Sequence, residues 1–185
     1  MKKQNLLTAI GLSLAAVLLM AFTGVAAERD AANYVGVKTC GICHKKDDSG
    51  NQLGVWEKSP HAKAFATLGT PAAKEAGKKL GVEDPQKSGK CLKCHSTAYN
   101  FTEAVATEKI KVEDGVTCES CHGPGKKYMA KATMEDRAKA IAAGLVHPAT
   151  DSCKLCHNPE SPSFKGFNEE EMVKKIAHPD PKVKH

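Results

Sequence analysis

Cys118-Glu-Ser-Cys121-His122 is one of four five-residue stretches built on the same pattern; the others are Cys40-Gly-Ile-Cys43-His44, Cys91-Leu-Lys-Cys94-His95 and Cys153-Lys-Leu-Cys156-His157. Together they use all eight cysteines of the 185-residue chain, and a histidine follows every second cysteine. On a helix, residues three apart share a face one turn apart and the next residue lies beside them. Two thiols so spaced can each add to a porphyrin vinyl group while the histidine reaches the iron, so C-x-x-C-H reads as c-type haem attachment. Four motifs predict four haem c groups, thioether-linked at Cys40, Cys43, Cys91, Cys94, Cys118, Cys121, Cys153 and Cys156. His44, His95, His122 and His157 are the expected proximal ligands.

Two other chemistries use paired cysteines. Four thiolates can hold a structural zinc, and an exported chain can oxidise its thiols to disulfides or keep a C-x-x-C as a redox dithiol. Neither asks for a histidine after every pair.

The segment before the first motif fits the haem reading. Met1 to Ala27 has a basic start at Lys2 and Lys3, an apolar run around Leu14-Ala-Ala-Val-Leu-Leu-Met20, and a close on Val25-Ala26-Ala27. This is the pattern of a signal peptide cleaved before Glu28, with an uncleaved anchor as the competing expectation. Export to the periplasm or beyond is where c-type attachment takes place. Residues 28–185 then form one domain with only 5% aromatic residues and one Trp in the whole chain, too few for an ordinary core. At about 40 residues per haem, macrocycles would supply much of the buried apolar surface, so folding and haem insertion are expected to be coupled.

A formal charge of +6 invites a nucleic-acid or membrane reading. Loss of Lys2 and Lys3 and the addition of ionised propionates would carry the total to roughly −4. Nucleic acid is therefore not an expected partner, and membrane contact is expected only as peripheral or anchor association. Lysine pairs such as Lys45-Lys46, Lys78-Lys79 and Lys126-Lys127 read as solvated faces or propionate partners.

Along the chain the expected class is mainly α: short helices and long loops wrapped around the haems, with little β. Ser59 and Pro60 are expected to start a helix that puts His61, Phe65 and Leu68 on one face. Thr70 and Gly81 bound a second helix, from Pro71 to about Leu80. Residues 98–112 suggest an irregular hairpin at best. Gly123-Pro124-Gly125 should break the helix of the third motif. Thr133 is expected to cap a helix through about Ala143, with Met134, Ala138 and Ile141 as its apolar stripe and Gly144 as its stop. Asn168 should cap a final helix reaching His178, acidic at its start and basic at its end.

Four histidines remain after the proximal ones: His61, His147, His178 and His185, equal in number to the irons that lack a second axial ligand. Histidine on both faces makes a six-coordinate haem suited to electron transfer. The apolar helix face favours His61 and His178, the short loop before the fourth motif favours His147, and the terminal position of His185 makes it the weakest. Met129, Met134 and Met172 are the alternative ligands, the last two better suited to core packing.

The chain resembles the tetrahaem cytochrome c-554 family of exported bacterial proteins over nearly all of residues 28–185. The resemblance rests on C-G-I-C-H followed by V-W-E-K-S-P-H-A-K-A-F, on G-V-T-C-E-S-C-H-G-P-G, and on F-K-G-F-N-E-E-E-M-V-K-K-I-A-H. It implies a largely helical electron carrier with closely packed haems serving redox partner proteins in the periplasm. It also implies His61 and His178 as distal ligands, and the haem on Cys91 and Cys94 as the one without a distal ligand. Family members can carry another histidine shortly after G-P-G. This chain has Lys126-Lys127-Tyr128-Met129 there, which leaves His147 or His185 to supply that ligand.

No catalytic acid, base or substrate pocket is legible, so an electron carrier is the first expectation. A redox enzyme for a small nitrogen oxide at one five-coordinate iron is the second. A subunit of a polymeric conduit, with His185 given to the next chain, is the third; the oligomeric state is open between them.

Overall fold

The protein is described by a computed structural model covering residues 30–99, 105–146, 150–178 and 180–181. Met1 to Ala27, His147 and His185 lie outside the described residues. Among the described residues ten short α-helices follow one another: α1 Val37–His44, α2 Gln52–Lys58, α3 Ala64–Thr67, α4 Pro71–Lys79, α5 Gly89–His95, α6 Cys118–His122, α7 Lys131–Met134, α8 Arg137–Ala142, α9 Thr150–Lys154 and α10 Glu169–Ile176. Among the described residues there are also six 3₁₀ turns, one before α1 and five between helices, and no strand. Ala31–His185 form one unit.

Helix boundaries follow local chemistry. Thr70 Oγ1 accepts from the Ala73 amide at 3.2 Å, Pro71 occupies the first helical position of α4, and Gly81 takes the left-handed conformation just past its end. Asn168 Oδ1 accepts from the Glu171 amide to open α10. Gly123 and Gly144 adopt positive φ after α6 and α8, as expected.

Two expectations about helix boundaries are corrected. Ser59 closes a helix instead of opening one: Asn51, in the left-handed region, accepts from the Gly54 amide and starts α2, which runs to Lys58. His61–Lys63 is therefore a 3₁₀ turn leading into α3. The single helix expected from a Thr133 cap through about Ala143 is two: α7 begins at Lys131 with Thr133 inside it, and Asp136 Oδ1 accepts from the Lys139 amide and begins α8. That resets the buried face: Ala140 is fully buried and Ile141 half exposed. Between the second and third motifs, where an irregular hairpin at best is expected, no strand occurs among the described residues; the Val105 amide donates to the Ala98 carbonyl at 2.8 Å and the Thr107 amide to the Ile110 carbonyl at 2.9 Å. Asn100 to Ala104 lie outside the described residues.

The apolar core is small. Tyr34, Val105 and Ile110 form its buried cluster with Ala31 against it, while Ile42, Leu155 and Val173 are exposed. Met172 and Met129 are exposed as well, so the core role expected for Met172 is not met.

Candidate haem-binding site

In three motifs the histidine is the last residue of its helix: His44 in α1, His95 in α5 and His122 in α6. The fourth straddles a helix end, with Cys153 inside α9 and Cys156 and His157 in the turn after it.

The outer nitrogens of these rings are held. His95 Nδ1 donates to the Ala64 carbonyl at 2.8 Å, and His122 Nδ1 to the Val146 carbonyl at 3.1 Å. His44 Nδ1 lies 3.2 Å from Gln52 Oε1. A carbonyl can only accept, so the proton sits on Nδ1 and the lone pair is left on Nε2, the arrangement metal-bound histidines use. Val146 returns an amide hydrogen bond to the His122 carbonyl at 3.0 Å, which fixes this ring from both sides.

Two non-motif histidines face motif histidines. The rings of His61 and His157 have centroids 6.0 Å apart, and those of His122 and His178 are 5.9 Å apart. Two imidazoles sharing one first-row metal ion need about 6 Å, from roughly 2 Å per metal–nitrogen bond plus the ring radii. Partial loss of hydration holds His61, His157 and His178 below the ordinary histidine range, although the last two still meet solvent. His157 adds to the effect at His61, His95 at His157 and His44 at His178. All three are thereby kept as neutral imidazoles, the ligating form.

The His61 segment is built into place by the approach to the third motif. The Val116 amide donates to the His61 carbonyl at 3.1 Å, and Trp56 Nε1 donates to the Val116 carbonyl at 2.8 Å. Gly115 has φ +71, and a Cβ there would sit 2.8 Å from the His61 carbonyl oxygen. A side chain at 115 would push the two segments apart.

Thiols of different motifs are neighbours. Cys40 of the first motif hydrogen-bonds Cys118 of the third, which holds the Cys40 thiol above the ordinary range and Cys118 below it. Cys94 of the second is lowered to about 7 by its hydrogen bond to Cys156 of the fourth. Cys121 is pushed up to about 11, first by burial and then by Cys153 across from it. The motifs therefore adjoin in the order first, third, fourth, second. None of the eight is in a disulfide, and among the described residues no three His, Cys, Asp or Glu side chains converge as a zinc cage requires.

Two contributors escaped the sequence reading. Glu119, the first spacer of the third motif, is 3% exposed, and its carboxylate accepts from the amides of Val35, Gly36 and Gly125 at 2.9, 2.9 and 2.7 Å. Its burial has no signature in C-x-x-C-H, a pattern that leaves both spacers unspecified. Phe167 stacks on His157 at 4.9 Å and 22°. An aromatic just before the Asn168 cap was the only available cue. Tyr128, in the Lys126-Lys127-Tyr128-Met129 stretch after G-P-G, is buried, and its hydroxyl donates toward the Gly123 and His122 carbonyls at 2.6 and 3.1 Å.

Helix-end C-x-x-C-H motifs, Nδ1-anchored imidazoles and opposed histidines define a c-type cytochrome with covalently bound haem c. A family profile described as "Cytochrome c554 and c-prime" matches residues 39–123, which span the first three motifs. Cytochrome c-554 of Nitrosomonas europaea is 30% identical over 181 residues, covering 88% of this chain and 73% of that protein. The chain belongs to the cytochrome c-554 family. No solved structure gives a significant match.

Proposed function

We propose that residues 28–185 form one exported tetrahaem cytochrome that passes electrons between redox partner proteins, with His61 serving the iron of the fourth motif and His178 that of the third. The observation that carries this reading is the pair of opposed imidazoles, His61 with His157 and His178 with His122, at the spacing of a shared metal ion. Bound haem c supplies a one-electron iron couple at each motif. The chain contributes rigidity: thioether anchors on helix ends, ring nitrogens pinned by Ala64 and Val146, and imidazoles held in opposed pairs. Neighbouring thiols in the order first, third, fourth, second support close packing of the sites in that order.

The iron of the first motif, on His44, is assigned one of the remaining distal candidates, His147 or His185, and the iron of the second motif, on His95, is the one proposed to go without. Export rests on the Met1 to Ala27 pattern, and among the described residues no helix is long and apolar enough to cross a membrane. A redox titration followed by electron paramagnetic resonance tests the reading. We expect four one-electron transitions with low-spin ferric signals for the third and fourth haems; high-spin signals at those two would overturn the ligand assignment.

A further inference from the structure

Between α2 and α10 lies a cleft of about 320 Å³ whose lining includes Asn51, Lys58, Ser59, Pro60 and Lys175. Ser59 is 92% buried, and its Oγ has no hydrogen-bond partner among the described residues. A buried hydroxyl without a partner is costly, so its persistence points to a ligand group or a water at that spot. The cleft is cationic: Lys58 and Lys175 border it, no carboxylate does, and neither lysine forms an ion pair among the described residues. Lys175 Nζ has only the Met172 sulfur, at 3.8 Å. Asn51 is already committed, to Gly54 through its oxygen and to Asp47 through its nitrogen.

The cleft also sits where both opposed histidines begin. Pro60 directly precedes His61, and Lys175 lies three residues before His178. Any group carried by a haem on either imidazole and reaching the protein edge there meets one hydroxyl donor and two ammonium groups, a set that suits a carboxylate.

We propose that this cleft is a carboxylate site that receives a propionate of the haem liganded by His61 or His178. In it the Ser59 hydroxyl donates a hydrogen bond, and Lys58 and Lys175 balance the charge. This rests on the tetrahaem reading. The consequence is electronic: a propionate compensated in this way raises the potential of its iron, because the ferric state loses part of its anionic stabilisation.

The test compares wild type, Ser59→Ala, Ser59→Thr and Lys175→Gln as holoproteins, by intact mass, resonance Raman of the propionate bending bands and potentiometric titration. We expect full haem load in every variant. Ser59→Ala and Lys175→Gln should shift one propionate band and lower one of the four potentials, and Ser59→Thr should restore both. Fully loaded Ser59→Ala with unchanged bands and potentials would overturn the proposal and leave a water on Ser59. So would a wild-type protein whose cleft binds added acetate, with Ser59 required, since a cleft filled by a propionate is closed to free anions. A wild-type chain with fewer than four haems would instead contradict the tetrahaem reading, a failure that the mass alone reveals.

Discussion

The third and fourth motifs share a pattern and differ in what holds them. The third is enclosed: Glu119 gathers the amides of Val35, Gly36 and Gly125, Tyr128 bonds back to the helix end, and Thr97 Oγ1 accepts from the Thr117 amide at 2.7 Å. The fourth runs out of its helix before its second cysteine, leaves Leu155 half exposed, and is held mainly through rings, with His157 between His61 and Phe167. One motif is positioned by the polypeptide; the other depends on contacts that a bound haem would complete. This contrast explains how so small an apolar core can organise four sites.

The largest effect is expected at the Glu119 clasp. Glu119→Ala strands three buried amides and should cost about 3–5 kcal/mol, read as a loss of midpoint in denaturant unfolding of the holoprotein. A cost below about 1 kcal/mol would mean that the third motif is no better anchored than the fourth. In the haem-free chain, hydrogen exchange should find residual protection at the Val35, Gly36 and Gly125 amides and none at the His157 amide, without a full native-like melt. Equal protection at both motifs would erase the contrast.

A smaller change is expected from Tyr128→Phe, about 1 kcal/mol for the lost hydroxyl hydrogen bond, with no change in spin state. Phe167→Leu should cost about 0.5–1 kcal/mol and perturb the fourth haem's low-spin signal alone, because the stacked ring orients His157. Acid should act through the opposed histidines. Their folded pKa values lie below 6.5, so the unfolded chain takes up protons first as pH falls through 6.5. Stability from these groups is full above 6.5 and declines between 6.5 and the folded values. Denaturant midpoints measured from pH 8 to 5 check the sign. At the bottom of the scale, Glu160→Gln breaks the exposed Lys93–Glu160 pair, and the melting temperature should not move measurably.

The candidate anchors could be read from the chain because they are written as spacing. C-x-x-C-H encodes the anchors, and caps with one candidate residue, Thr70 and Asn168, were legible for the same reason. The reading failed where local signals competed. Ser59 looks like a helix start, but Asn51 begins a helix earlier and Ser59 ends it; Thr133 looks like a cap but lies inside α7, and Asp136 is the residue that caps α8. Long-range partners left no trace: the amides that Glu119 accepts from Val35 and Gly36 lie 84 and 83 residues away. The pairing of His61 with His157 likewise depends on a tertiary path, through Gly115 and Val116, that spacing does not encode.

Four covalently loaded motifs are the central claim, and the intact mass of the exported protein addresses it most directly. The account predicts the polypeptide of residues 28–185 plus four haems, retained under denaturing conditions. A mass equal to the bare polypeptide, or a product that loses its colour on denaturation, would contradict it.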